Sequence, residues 1–194
     1  MGIILLNLLI KLSIGIEKAK VEIKNATAST VGSSNDPNNM IDSDPNTFHS
    51  SQYKKDSPNL GWVQLELTTI QNITKIYITT RKDGFRFKNV TVMVGNQKIF
   101  ANDSRAQQQS DILKNKICNT FHGPVTNGEI MKIYCKTPIS GNVVTIQVLD
   151  NDVGYIDIAE VEVYRSILVD GMSNRFFKKY QSYDISLHRE YQQL

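Results

Sequence analysis

The stretch Arg81-Lys82-Asp83-Gly84-Phe85-Arg86-Phe87-Lys88 gathers four cations, one carboxylate and two aromatic rings into eight residues. Arginine and lysine are pure hydrogen-bond donors, so such a set suits a ligand rich in acceptor oxygens. Asp83 stands two residues from Arg81, where a charge-assisted pair would hold the guanidinium fork in one orientation. Taken by itself the stretch reads as a solvated turn, the ordinary state of a charge cluster. A second polar run, 33–46, is rich in Asn, Ser and Asp, and within it Asp42-Ser43-Asp44-Pro45 reads as an Asx-turn. The residues of catalysis are sparse. His49, His122 and His188 are scattered, and no nucleophile elbow, His-Glu-x-x-His helix or phosphate loop occurs. His49, beside Phe48, reads as a structural residue. The chain is expected not to be an enzyme.

These residues need elements to hold them, and the hydrophobic pattern says which. Val63, Leu65 and Leu67 alternate with Gln64 and Glu66, the period of a half-buried strand. Ile76 and Ile78 repeat the pattern within Ile73–Thr80, as do Val90, Val92 and Val94. A Gly95-Asn96 turn signal predicts a further strand over Gln97–Ala101, and others are expected at Ile130–Cys135, Val143–Leu149 and Ile158–Tyr164. Connections rich in Asn, Asp, Gly, Ser and Pro punctuate them. No helical stripe is visible before the C-terminus. The fold class is therefore all-β, an antiparallel β-sandwich of jelly-roll type. In the tail, Phe176, Tyr180, Tyr183, Leu187 and Tyr191 recur at helical spacing and predict a short amphipathic helix, for packing on the sandwich, for self-association or for a membrane surface.

The 194 residues fit one domain, and 40% hydrophobic residues suffice for a core. The net charge of +3 comes from 22 basic and 19 acidic residues interspersed along the chain. No basic stripe marks a nucleic-acid footprint. Residues 1–16, MGIILLNLLIKLSIGI, are too short and interrupted to span a membrane and read as a signal peptide cleaved between Ser13 and Lys20. An uncleaved anchor and an apolar first strand are the alternatives. The expected organisation is then a signal segment 1–16, a sandwich 17–166 and a tail 167–194. Four N-x-[ST] triplets, at Asn25, Asn72, Asn89 and Asn102, lean towards a secreted, extracellular glycoprotein. Cys118 and Cys135 are too far apart in sequence for a C-x-x-C motif. In an oxidising compartment they close a loop worth about 3 kcal/mol; in a reducing one they are two buried thiols.

Several segments, read in order, resemble the F-type lectins (fucolectins), a branch of the discoidin-like, galactose-binding-domain-like sandwiches. They are Ala26-Thr-Ala-Ser-Thr30, Asn39-Met-Ile-Asp42, Thr47-Phe-His-Ser-Ser51, Trp62-Val-Gln-Leu-Glu-Leu67, Ile76-Tyr-Ile-Thr-Thr-Arg81 and Ala159-Glu-Val-Glu-Val163. The resemblance runs from about Ala26 to Tyr164 and implies a disulfide between Cys118 and Cys135. It also implies a sugar-binding pattern of His, twenty-six residues, then R-x-D-x4-[RK]. Arg81, Asp83 and Lys88 satisfy the second half, and Lys54 stands where the family has its histidine. Arg86 competes with Lys88 for the last basic position. Phe85 lies where the family commonly has a pair of cysteines, and offers an apolar surface instead.

The resemblance further implies one structural calcium ion, with ligands at Asn39, Asp42, Asp44, Ser51, Ala159 and Glu160, several through backbone carbonyls. Calcium takes six to eight oxygens in a flexible shell, which Asn/Asp/Ser-rich loops supply. The implied function is a secreted, calcium-stabilised lectin for a fucosylated or anionic glycan, the lysine for histidine exchange altering specificity. It would meet membranes only through glycoconjugates and gain avidity as a homo-oligomer. The alternatives are a discoidin-like module binding protein or phospholipid through Tyr53, Leu60 and Phe85, and a structural domain that has lost sugar binding.

Overall fold

The alternation in Trp62–Leu67 and in Ile73–Thr80 belongs to one long strand rather than two. The computed structural model describes residues 18–29, 35–54, 61–83, 87–149 and 153–166. Its elements are β1 (Lys18–Val21), β2 (Ile23–Ala28), β3 (His49–Lys54), β4 (Trp62–Thr80), β5 (Val90–Gly95), α1 (Arg105–Ile112), β6 (Lys116–Phe121), β7 (Ile130–Val148) and β8 (Val153–Ser166). β7 likewise joins two expected strands. Its pairing with β4 slips between Glu66 and Gln71, so both strands bend there. At that bend a side chain on Gly141 would collide with the Gly95 carbonyl, so the close approach requires glycine.

The bend divides the pairing into two layers. In the first, Trp62–Glu66 lies between β2 and Val143–Gln147, with β5 and β6 continuing outward. In the second, Ile73–Thr80 lies between the first half of β7 and β8, and β1 and β3 pair with β8. All these pairings are antiparallel. Val63 and Leu65 from one layer and Ile76, Ile78 and Ile158 from the other bury in one core. The chain is an antiparallel β-sandwich, as its alternation and its resemblance predict. Cys118 of β6 and Cys135 of β7 form a disulfide.

Two expectations are corrected. Gln97–Ala101 is not a strand, because side chains take the place of a ladder: Gln64 Oε1 accepts the Ile99 N–H at 2.9 Å and Asn115 Oδ1 accepts that of Gln97 at 3.1 Å. A helix does precede the C-terminus. α1 begins at Ser104, whose hydroxyl accepts the Gln107 N–H, and it buries Gln108, Asp111 and Ile112. Its inward face is polar because Gln108 Oε1 accepts the Trp62 indole N–H at 3.1 Å, so no apolar stripe announces it. Trp62, Met93, Ile99 and Ile112 form a small second cluster on that side of the sheet. The apolar run 1–16 and the tail stripe from Phe176 to Tyr191 lie outside the described residues.

Candidate functional site

β4 delivers Arg81 to a fixed point. The Thr80 N–H donates to the Glu129 carbonyl at 3.0 Å, and the Arg81 N–H donates to the Asp157 carbonyl at 3.3 Å. The Gly128 N–H in turn donates to the Arg81 carbonyl at 3.2 Å. The backbone is thus clamped between β8 and the 126–129 turn, while the side chain remains 28% exposed. Its guanidinium carbon lies 3.9 Å from the centre of the Phe48 ring, a cation–π stack. Asp83 is a poorer partner than expected. Its Oδ2 is 3.9 Å from Arg81 Nη2, beyond hydrogen-bonding distance, and the carboxylate is 79% exposed. Solvent screens such a pair, so the Phe48 ring does the orienting that the spacing assigned to Asp83. Phe48 is the residue that motif reasoning passed over. Its signal was there in Thr47-Phe48-His49, one of the segments that carry the resemblance.

The other cations are arranged along the first half of β8. Lys54 pairs through its backbone with Val153, Gln52 with Tyr155 and Ser50 with Asp157. Phe87, fully buried, bridges to Tyr155, and exposed Lys88 follows it. The Lys54 and Arg81 backbones therefore stand at opposite ends of Val153–Asp157, about 13 Å apart along the strand, with Lys88 beside its middle. Phe85 and Arg86 lie outside the described residues, as do the side chain of Lys54 and all of Leu60. His49 is buried, with Nδ1 3.1 Å from the Asn35 carbonyl; burial lowers its pKa, so its neutral form is favoured.

The second cluster lies where the loop after a 3-10 turn, Pro37–Met40, meets β8. Asp42 Oδ1 accepts the Asp44 N–H at 2.9 Å, and this bond leads in holding the Asp42 carboxyl below its usual range. Glu160 presses its carboxyl against Asp42. Burial, and after it the Asp42 carboxylate, pushes the Glu160 pKa up to about 7. Glu160 Oε1 is buried and has no hydrogen-bond partner.

Around them oxygens converge on one hydroxyl. Thr47 Oγ1 is 2.8 Å from Asp42 Oδ2, 2.9 Å from the Asp44 carbonyl and 3.3 Å from the Asn39 carbonyl. A hydroxyl has one proton to donate, so two of the three acceptors go without it. The Asp44 carboxylate is spent in the Asx-turn, accepting from Asn46 N and Nδ2, which leaves its carbonyl directed to Thr47. Ala159 is the extra residue of a bulge: Glu160 pairs with Thr79 and Ile158 with Thr80, so Ala159 has no counterpart on β4. Ser51 stands apart, paired with Ile156, three residues before that bulge.

Among the described residues no three His, Cys, Asp or Glu side chains group as metal ligands. The oxygen set instead combines two carboxylates with backbone carbonyls and a hydroxyl. Crowded carboxylates, a partnerless buried oxygen and acceptors outnumbering protons are what a hard cation would relieve, so the residues fit calcium.

Residues 25–161 match the F5/8 type C domain. The chain belongs to that family, the discoidin-like β-sandwiches. No curated protein matches it. Among solved structures, this F5/8 type C domain is similar to the family 32 carbohydrate-binding module of Clostridium perfringens NanJ, solved with galactose. The TM-score is 0.57 and the identity 15%, over 77% of this chain and all (100%) of that one. It is similar to the serum fucolectin of striped bass, Morone saxatilis, with a TM-score of 0.58 and 18% identity, over 74% of this chain and 46% of that one. A Streptococcus pneumoniae fucose-binding module gives a TM-score of 0.54 and 20% identity, over 75% of this chain and 94% of that one. At such identities the likeness speaks for the fold.

Proposed function

We propose that this domain is a secreted, calcium-stabilised module that binds glycans, fucosylated or anionic, through Lys54, Arg81, Asp83 and Lys88, with Phe85 and Arg86 between the last two in sequence. The observation that carries the reading is Arg81, clamped by its backbone, seated on the Phe48 ring and still part-exposed. A sugar hydroxyl or carboxylate is then met by a fixed fork of N–H donors, whose orientation costs little at binding. Lys88, exposed beside the middle of Val153–Asp157, adds a donor, and the Lys54 backbone pairs with Val153 at the far end of that segment. The similar structures named for fucose binding, and the one solved with galactose, support a glycan as the ligand.

Calcium would be held by the Asp42 and Glu160 carboxylates and the Asn39, Asp44 and Ala159 carbonyls, with Ser51 further along β3. Bound there, it neutralises two crowded carboxylates and ties the 42–47 loop to β8. The Cys118–Cys135 disulfide supports an oxidising, extracellular setting. Asn72 and Asn102 are exposed acceptors, whereas Asn89 is half-buried at a φ of 49° with its N–H bound to the His122 carbonyl.

The test is a glycan array on the mature protein, with calcium and with a chelator, beside Arg81→Ala. Binding to fucosylated or acidic glycans that the substitution abolishes supports the reading. A folded wild type that stays silent on the array, or an Arg81→Ala protein that binds as well, ends it.

A further inference from the structure

The two clusters are not independent. The loop that carries Asp42 and Asp44 touches the Arg81 segment twice. Lys82 Nζ donates to Asn46 Oδ1 at 2.7 Å, and Asn46 is itself bound through N and Nδ2 to the Asp44 carboxylate. The Phe48 ring lies under the Arg81 guanidinium at 3.9 Å. The backbone at Phe48 is tied to the same loop, since Asn39 Nδ2 donates to the Phe48 carbonyl at 3.3 Å. Thr47, the next residue back, touches Asn39, Asp42 and Asp44 through one hydroxyl. Arg81 Nε is buried without a hydrogen-bond partner, and Asp83 is too distant to replace the ring.

We propose that Asn46 and Phe48 are positioning residues that couple occupancy of the Asp42–Glu160 oxygen cluster by a divalent cation to the placement of Arg81 and Lys82. This rests on the cation reading given above and extends it from a local staple to a link with the second site. With the carboxylates neutralised, the 42–47 loop is drawn to β8, and Asn46 and Phe48 are fixed beneath Lys82 and Arg81. With them repelling, the loop relaxes and both contacts loosen. Linkage is reciprocal, so a ligand that needs Arg81 in place tightens the cation by the same factor.

Residue-resolved amide hydrogen exchange on the whole protein, with calcium and with a chelator, tests the coupling without any sugar. Calcium is expected to slow exchange within 42–47 and also at Arg81 and Lys82, the latter by about 5-fold or more. Lys82→Ala, which changes no residue of the loop and removes only its contact with Asn46, and the double variant Asn46→Ala with Phe48→Leu should keep the first protection and lose most of the second. Protection confined to 42–47 in the wild type overturns the coupling and leaves the cation site standing. Protection at Arg81 and Lys82 that survives both variants overturns the role of these contacts. Absence of protection anywhere overturns the coupling together with the cation reading, while the glycan array tests sugar binding separately.

Discussion

Lys75 and Arg81 both lie against aromatic rings, and they are held in opposite ways. Lys75, on β4, is 4% exposed. Its ammonium sits 4.2 Å from the centre of Tyr77 and 4.3 Å from that of Tyr164, and donates to the Tyr77 hydroxyl at 2.6 Å. Tyr164 donates to Glu162 at 2.8 Å, and Glu162 pairs with Lys20 at 2.8 Å. The charges leave their mark. That hydrogen bond from Lys75 leads in lowering the Tyr77 pKa, while burial, reinforced by Glu162, pushes Tyr164 up to about 12. Arg81 has one ring beneath it, a distant carboxylate and part of its surface in solvent. A cation enclosed by two rings and a hydroxyl serves the fold. A cation given one face of support and left open is free to meet a ligand, as proposed for Arg81.

The largest effect should come from breaking the enclosed cation. Lys75→Ala removes two cation–π contacts and a buried hydrogen bond, and should cost about 2–3 kcal/mol of stability. The melting temperature would then fall by roughly 2–4 °C per kcal/mol. Glycan binding, measured where the variant is folded, should not change. A cost below about 0.5 kcal/mol would mean that the enclosure contributes packing alone. Arg81→Ala should do the reverse. It should weaken glycan binding at least about tenfold, near 1.4 kcal/mol, and change stability by less than about 1 kcal/mol. Arg81→Lys should fail to restore binding, because an ammonium offers no planar fork to stack on Phe48. Rescue by lysine would reduce the site to simple charge.

This contrast was only half visible in the sequence. The sandwich could be read because alternation is local: Val63, Leu65, Leu67, Ile76 and Ile78 announce their faces without knowledge of their partners. The joining of strands into β4 and β7 could not, because the slip after Glu66 depends on which strand lies opposite. α1 escaped notice because Gln108 faces inward to meet Trp62, 46 residues away. At the site, Arg81 and Asp83 were legible as a motif, and Asp42 and Glu160 by resemblance. What sequence spacing misrepresents is which neighbour matters. Two residues separate Arg81 from Asp83, yet the ring that supports it comes from another strand's approach, at Phe48.

The oxygen cluster gives a third, smaller test through pH. The Glu160 carboxyl titrates near 7 in the folded chain against an ordinary 4.5. A raised carboxyl pKa means that the folded state binds more protons between those values. Without calcium, Glu160 therefore makes stability fall as pH rises from about 4.5 to about 7, and adds no slope beyond. His49, its pKa lowered by burial, gives a slope of opposite sign below about 6.5, so the wild type alone is ambiguous. The difference between wild type and Glu160→Gln isolates the carboxyl. The substitution should stabilise the chelated protein above pH 7 by about 1–2 kcal/mol, a figure discounted for the solvent that reaches the pair, and be near neutral at pH 4.5. Calcium should invert the order, because only the carboxylate binds it. Urea titrations at the two pH values, with calcium and with chelator, check this. A Glu160→Gln protein stabilised by calcium as strongly as the wild type would remove Glu160 from the ligand set.

The smallest effect bears directly on what a single ring contributes. Phe48→Leu keeps an apolar contact under Arg81 and removes the quadrupole that attracts the guanidinium. A part-exposed cation–π stack is worth about 0.5–1 kcal/mol, so glycan affinity should fall about 2- to 5-fold. Phe48→Tyr, with a face of similar character, should stay within error of the wild type. The comparison with Lys75 sharpens here. Tyr77→Leu removes only one of two rings and should leave glycan binding unaltered while lowering the melting temperature. If Phe48→Leu instead lowers stability and spares binding, Arg81 belongs with Lys75 as a cation of the fold, and the ligand must be gripped by Lys54 and Lys88.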